Sequence, residues 1–327
     1  MKLLVLTDHS GHTAHNSLYA IVRALAADER VGEVRVASRG TPANAPFFAC
    51  APSGKTQPLH TLRVAPGFAF DPTGSQFESL SETTPLDWPT HVFLRVPHPV
   101  PANWFAYLRE AFAETPIVNR PEGIAATTSK KWLLNVPELC APMQLCDTPQ
   151  SVAAFAKTRP CVLKPLEGYG GKGILRADRA GVRVGNETIA WSDWPSHALA
   201  PQPYLAVEFL TRVSEGDKRI VVVGDEVIGA VLRVPAEGQW LANVSQGGRT
   251  EASDLSFAER RIVDTLRPRM RALGVAMYGI DTLTGNDGHR VLSEVNTMSI
   301  GGVNDLPPAN GRSAAHRTAQ ALLRAFP

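Results

Sequence analysis

The stretch that most constrains this chain is a glycine-rich loop set between two strand-like runs. Cys161-Val162-Leu163-Lys164-Pro165 is apolar and of strand length, interrupted by one lysine. Four glycines then fall within seven residues, Glu167-Gly168-Tyr169-Gly170-Gly171-Lys172-Gly173, and Ile174–Ala177 leads out as a second strand. Strand, glycine loop, strand is a β-hairpin. A Walker A loop requires a helix after its glycines and a Gly-Lys-Ser/Thr ending, and a dinucleotide-binding turn requires the same helix. The strand that leaves the loop excludes both. Backbone N–H groups in such a loop can wrap phosphate oxygens, and the hairpin can close as a lid. A plain mobile hairpin has the same composition. Lys164, inside an apolar strand, calls for an anionic partner or an exit to solvent at a sheet edge.

The flanking chain reads as α/β. Lys2–Thr7 has the pattern of a buried parallel strand. Asn16–Ala27 carries Leu18, Ile21, Val22 and Leu25 at helical spacing, capped by Asn16 or Thr13, and Glu33–Ser38 is a second strand. This is the unit of a doubly wound sheet. Prolines 42, 46, 52, 58, 66, 72, 85 and 89 break every pattern between them, so long loops with an edge strand are expected there. His91–Val96, Ala102–Ala113 and Pro116–Asn119 resume as strand, helix and strand. Ser129–Leu134 and Val152–Lys157 read as helices. Tyr204–Leu210 is strand-like, and Lys218–Val223 and Glu226–Val234 flank the turn Gly224-Asp225. Phe257–Leu273 is an amphipathic helix broken mildly at Pro268. Met277–Leu283 and Arg290–Asn296 are paired strands, and Ser313–Phe326 closes the chain as a surface helix. The expected divisions are 1–120, 121–203 and 204–327, with α+β character in the C-terminal half.

Composition removes some function classes. Of 327 residues, 44% are apolar and 20% charged, as in globular chains. Lys plus Arg at 33 against Asp plus Glu at 31 leaves +2, which gives no reason to expect nucleic-acid or membrane-surface binding. Cys50, Cys140, Cys146 and Cys161 form no Cys-x-x-Cys pair, so a reducing compartment is the simpler reading. No run approaches the roughly 20 apolar residues of a membrane span. The apolar opening, Met1–Leu6, is too short for a secretory signal, and a cytoplasmic protein is expected.

Several residues could carry chemistry. Glu294 and Asn296 lie two apart on one strand and share a face, with Asp281 on the strand before. Two carboxylates and an amide oxygen suit Mg²⁺ held through nucleotide phosphates, and a solvated strand face can carry the same residues. Arg233 and Arg249 could neutralise a transferring phosphoryl group or pair with surface acids. Lys130-Lys131 opens a helix, a pattern usual at surfaces. His9, His12 and His15 drift off one helical face and lack an acidic second group, which disfavours zinc.

Each signal is weak alone; their order is not. Lysine, lysine with glycine lid, acidic hinge strand, then Asp, Glu and Asn on paired strands resembles the ATP-grasp superfamily, and more closely bacterial glutathione synthetase. The resemblance runs over about residues 91–300. It is carried by Ile117-Val118-Asn119-Arg120-Pro121-Glu122-Gly123-Ile124, Leu163–Gly171, Glu215-Gly216-Asp217-Lys218-Arg219, Arg233-Val234-Pro235, Gly247-Gly248-Arg249, Gly279-Ile280-Asp281 and Glu294-Val295-Asn296. It implies an ATP-grasp fold behind an N-terminal doubly wound domain, and an ATP-dependent carboxylate–amine ligase working through an acyl phosphate. By that resemblance Lys131 and Lys164 hold phosphates, and Glu167, Gly168, Tyr169, Gly170 and Gly171 form the lid. Val207, Glu208, Phe209 and Leu210 are the adenine hinge, and Asp217 lies near ribose and substrate. Asp281, Glu294 and Asn296 ligate two Mg²⁺ ions, and Arg233 stabilises the phosphoryl group in flight. It also implies a homo-oligomer and small-molecule carboxylate and amine substrates. Arg95, Asn16, Arg249 and Ser299 are assigned to the substrate side.

One segment departs from the family. After Glu-x-Asn the family reads Ser-Pro-Thr-x-Ile-Arg-Glu, whereas this chain reads Thr297-Met298-Ser299-Ile300-Gly301-Gly302-Val303-Asn304-Asp305, without the proline or the arginine. That arginine would be a natural carboxylate clamp. The reading is therefore a ligase of γ-glutamylcysteine and glycine or a related small pair. The alternatives are a ligase acting on a larger peptide or natural-product precursor, and a nucleotide-binding module without catalysis.

Overall fold

Three sheets follow one another along the chain. The computed structural model describes residues 1–51, 58–168, 171–200, 202–235 and 249–326. The first sheet comprises β1 (Lys2–Thr7), β2 (Glu33–Ser38), β3 (Leu59–Arg63), β4 (Ser81–Thr84), β5 (His91–Leu94) and β6 (Ile117–Val118), in the order β4-β3-β2-β1-β5-β6. The second comprises β7 (Met143–Cys146), β8 (Cys161–Pro165), β9 (Leu175–Ala177), β10 (Gly181–Val184), β11 (Glu187–Ala190) and β12 (Tyr204–Glu208). The third comprises β13 (Asp217–Val223), β14 (Glu226–Val234), β15 (Arg249–Ala252), β16 (Met277–Thr284) and β17 (Arg290–Asn296). Among the described residues the α-helices are α1 (Leu18–Ala26), α2 (Ala45–Phe48), α3 (Gln76–Ser79), α4 (Trp104–Ala111), α5 (Pro121–Thr127), α6 (Pro149–Thr158), α7 (Phe257–Ala272) and α8 (Ala314–Ala325).

The first sheet is parallel at its centre because β1 is buried on both faces. Leu3 and Val5 pack with α1 and α8, whereas Leu4 and Leu6 pack with α4. β1 pairs in parallel with β2 and β5, so the strand order reverses at β1. The proline-rich segment is more ordered than its sequence predicts. It forms the antiparallel pair β3–β4 at the edge of this sheet. Asn44 aligns that edge. Its Nδ2 donates to the Ser38 and His60 carbonyls at 3.1 and 2.9 Å, and its Oδ1 accepts from the His60 amide at 2.8 Å. One side-chain amide does there what no hydrophobic period announces.

The second sheet is antiparallel, ordered β11-β10-β9-β8-β12-β7. The expected hairpin is present as β8–β9. α6 enters through a capping box in which Thr148 and Ser151 satisfy each other's backbone N–H. β12 lies between β8 and β7, so the C-terminal division does not begin at 204; the third sheet starts at Asp217. Tyr204 and Ala206 pack into the core under α6, and Leu205 into the core of the third sheet. A strand with apolar residues on both faces joins two layers, and its sequence alone does not say to which sheet it bonds.

The third sheet runs β15-β14-β13-β16-β17. α7 covers one face through Ile262, Val263, Leu266 and Met270, and it continues through Pro268 without interruption. α8 does not close this lobe on itself. It is largely buried rather than a surface helix, packed in one core between α1, Leu3 and Val5 on one side and Val221, Val223, Ile228 and Val231 of β13 and β14 on the other, so it joins the first and third layers. Asn119, at the end of β6, joins the layers. It donates to the carbonyls of Met277 and Thr297 at 2.6 and 2.7 Å and accepts from the amides of Ala276 and Met277, both at 2.8 Å.

Candidate active site

Cross-strand register builds the site. Asp217 and Arg219 lie two apart on β13 and share a face. Arg233 of β14 stands opposite Asp217, Asp281 of β16 opposite Arg219, and Glu294 of β17 opposite Asp281. Asn296 stands one step along, opposite Gly279. The result is one charged row across four strands, cations and acids interleaved until two acids, Asp281 and Glu294, end it side by side. Gly216 starts it: at φ +90°, a side chain there would come within 2.5 Å of the Arg233 carbonyl.

The row is densely paired. Arg219 grips Asp281 in bidentate fashion at 2.5 and 2.9 Å. Arg233 donates its Nε to Asp217 at 2.9 Å, makes a second bond to the same carboxylate, and reaches Asp281 at 3.1 Å. Burial alone would raise the Asp281 pKa, but Arg219 and Arg233 overcome it and hold that carboxyl well below the usual range. Glu294 differs. Burial, with Asp281 beside it, pushes its pKa up, and the cations facing it, Lys130, Lys164 and Arg219, only partly oppose this. Its nearest ion pair is the Lys130 Nζ at 4.0 Å.

The glycine hairpin faces this row across a cleft of about 430 Å³. β8 alternates, with Cys161 and Leu163 in the core and Lys164 towards the cleft. Lys164 Nζ donates to Ser293 Oγ at 3.1 Å and the Ser293 carbonyl at 3.3 Å, and burial lowers its pKa. Gly168 and Gly171 line the cleft with positive φ, a backbone conformation that glycine adopts without strain. Val207, Glu208 and Leu210 form one wall. Leu133, Met143, Val162 and Leu292 give it an apolar flank suited to a purine. Ser299, at φ +49°, lines the mouth with Met298 and Gly301.

Not every expected residue is there. Lys131 is exposed and turns away; its neighbour Lys130 lines the cleft and donates to the Gly168 carbonyl at 2.5 Å. Helical phase at a short 3-10 turn, Lys130–Asn135, decides between them. Glu167 is exposed at the root of the loop. Phe209 lies under the Arg176 guanidinium at 4.0 Å rather than on the cleft wall. Arg249 is exposed on β15 and pairs with Glu251 at 2.7 Å. Asn16 Oδ1 accepts from the Leu18 amide at 2.9 Å just ahead of α1, whose N-cap position is Ser17 rather than Asn16 or Thr13. Arg95 is 3% exposed, does not line the cleft, and lies against Met277 and Phe93. Tyr169, Gly170, Gly247 and Gly248 lie outside the described residues. His9 and His12 bond to Ser38 and Tyr19 at 2.7 and 3.0 Å, and His15 is exposed.

Arg219 and Lys130 are the cleft residues that sequence reasoning passed over. The signal for Arg219 was its i+2 spacing from Asp217. Among the described residues no group of three His, Cys, Asp or Glu is placed to cage a metal. Asp281, Glu294 and Asn296 offer only oxygen donors, which fits Mg²⁺ completed by phosphate oxygens and water. Among the described residues no helix is long and apolar enough to cross a membrane.

Comparison with known proteins agrees with this geometry. The family profile of the prokaryotic glutathione synthetase ATP-grasp domain matches residues 129–311. A glutathione synthetase of Parasynechococcus marenigrum is 34% identical over 209 residues, 63% of this chain and 64% of that protein. One of Synechococcus elongatus is 32% identical over 239 residues, 71% of this chain and 70% of that one. Among solved structures, a D-cycloserine synthetase superposes with a TM-score of 0.65 at 16% identity, covering 99% of this chain and all of the other, and so shares the fold. The matched region contains the lid hairpin, the charged row and the loop after it, and on that ground the chain belongs to the prokaryotic glutathione synthetase family of ATP-grasp proteins.

Proposed function

We propose that this chain is an ATP- and Mg²⁺-dependent ligase that joins a small carboxylate to a small amine through an acyl phosphate. The observation that carries this reading is the charged row of β13, β14, β16 and β17, set opposite a lysine-bearing glycine hairpin. A carboxylate is a poor electrophile. Attack of its oxygen on the γ-phosphorus of ATP releases ADP and gives the acyl carbon a phosphate leaving group. An amine then attacks that carbon, phosphate departs, and the amine proton passes to solvent.

The chain's residues fit those steps. Lys130 and Lys164 hold phosphate oxygens from the lid side. Arg233, from the sheet side, faces the charge that develops on the transferring phosphoryl group. Asp281, Glu294 and Asn296 would hold Mg²⁺, which would supply neutralisation of charge on the phosphates. The hairpin excludes water, because an acyl phosphate hydrolyses readily. Arg219 keeps Asp281 ionised and aligned until nucleotide and metal arrive.

The acceptor side is where this chain parts from its family. Met298, Ser299 and Gly301 stand at the mouth of the cleft, and no arginine occupies the loop 297–305. The amine is therefore a small molecule other than free glycine, or glycine held by different contacts. An ADP-release screen over pairs of amino acids and γ-glutamyl dipeptides, with product masses, tests the proposal. One pair giving ADP and a product lighter by one water than the sum of its substrates supports it. Background ADP release with every pair, from a protein that binds ATP, defeats it.

A further inference from the structure

A second cavity, of about 1080 Å³, shares no lining residue with the nucleotide cleft. It lies at the other end of β13, where the β13–β14 turn, the C-terminal half of α7 and the start of β16 meet the first layer. That volume accommodates a metabolite-sized ligand rather than a single ion.

Its polar lining is unbalanced. Four arginines face it, Arg120, Arg267, Arg271 and Arg324, against Glu114, Asp225 and Glu226. Arg271 is bonded to Asp225, and Arg324 to Glu226 at 2.6 Å. The remaining donors are only partly matched. Arg267 meets Asp264 through one terminal nitrogen at 3.2 Å, but its Nε is buried without a hydrogen-bond partner. Tyr278 is 1% exposed, and its hydroxyl is likewise buried and unpartnered. Arg120 lays its aliphatic stem over Gly274 and has no acidic partner among the described residues. A buried donor without a partner is costly, so the Arg267 Nε and the Tyr278 hydroxyl gain from a ligand that brings acceptors, while Arg120 is an exposed cation at the rim.

We propose that this cavity is a binding site for a small multivalent oxyanion, carrying carboxylate or phosphate groups, held by Tyr278, Arg267 and Arg120. Such a ligand bridges the two layers, because Arg120 follows β6 while Tyr278 and Arg267 belong to the third sheet and α7. The joint it spans is the one that Asn119 ties to Ala276 and Met277.

The test is titration calorimetry of the full chain with citrate and with inorganic pyrophosphate. The proteins are wild type, Lys164→Met, Tyr278→Phe and Arg120→Gln. Lys164→Met removes a cation of the nucleotide cleft and should leave binding unchanged. Tyr278→Phe removes only the hydroxyl, and Arg120→Gln alters an exposed residue that folding does not need. Each should weaken binding about 5-fold or more. Tighter binding of citrate marks a carboxylate ligand and tighter binding of pyrophosphate a phosphate ligand; either supports the site. Absence of binding of both probes to wild type overturns it. So does binding that is lost in Lys164→Met or unaltered in both Tyr278→Phe and Arg120→Gln.

Discussion

The two faces of the third sheet both carry charged networks, with opposite purpose. On the cleft face run Arg233, Asp217, Arg219, Asp281 and Glu294. On the rear face, under α7, Lys218 meets Glu259 at 2.8 Å. Glu259 also accepts from Thr282 at 2.8 Å, from Arg290 at 3.2 Å and from the Ser256 amide at 2.8 Å. Glu259 is fully buried and every oxygen has partners, a closed network that holds α7 to the sheet. The cleft face is not closed: among the described residues Glu294 has no cation within hydrogen-bond distance, and Lys164 rests on serine oxygens. A satisfied buried network is structural, whereas one left short of partners awaits a ligand. The Glu-Gly-Asp-Lys-Arg motif serves both, because alternate residues of β13 point to opposite faces.

Substitutions should separate the faces. Glu294→Gln should lower ADP release on the order of 10³-fold while the melting temperature stays within about 2 °C of wild type. Near-normal turnover would remove Glu294 from the metal site and erase the contrast. Glu259→Ala should do the reverse. It leaves Lys218 and Arg290 without their buried partner and should cost about 3–5 kcal/mol in urea unfolding. A loss under about 1 kcal/mol would mean that the rear network holds nothing together.

Lysine exchange sharpens the cleft side. Lys130→Met should raise the KM for ATP roughly tenfold, the loss of one charge-assisted bond, and Lys131→Met should change it little. Equal effects would show that both lysines reach nucleotide. The pH profile is a gentler probe. Burial and Asp281 raise the Glu294 pKa, so this carboxylate takes a proton at a higher pH than an ordinary glutamate as the medium is acidified. Burial lowers the Lys164 pKa, so its charge is lost at a lower pH than an ordinary lysine's on the alkaline side. Activity against pH should be a bell narrowed from both sides, and Mg²⁺ affinity should weaken with the acid limb. An acid limb no different from that of a free carboxylate would contradict the account of Glu294. The smallest effect belongs to the cap of α7, where Ser256→Ala should cost about 1 kcal/mol without altering KM.

Much of the fold is legible in the chain itself. β1, β2, β8 and β17 fall where apolar runs or alternation place them, and the hairpin β13–β14 follows from Gly224-Asp225. The site row is legible in part, since i+2 spacing puts Glu294 with Asn296. Periodicity failed in the proline-rich segment, where β3 buries only Leu59, Thr61 and Leu62 and is tied to its neighbour through Asn44, and at β12, whose two apolar faces fit either neighbouring sheet.

Short-range pattern in the chain settles the local units: the strand–glycine–strand lid, the alternation that sends Asp217 and Arg219 one way and Lys218 the other, and the altered loop after Asn296. Those depend on residues within a few positions of one another, where backbone periodicity and glycine conformational freedom decide the outcome. Long-range packing decides the rest. It brings Lys130 rather than Lys131 to the cleft, wedges α8 between the first and third sheets, and gathers Tyr278, Arg267 and Arg120 around one cavity. These are contacts between segments far apart in the chain, fixed by register, helical phase and the stacking of layers.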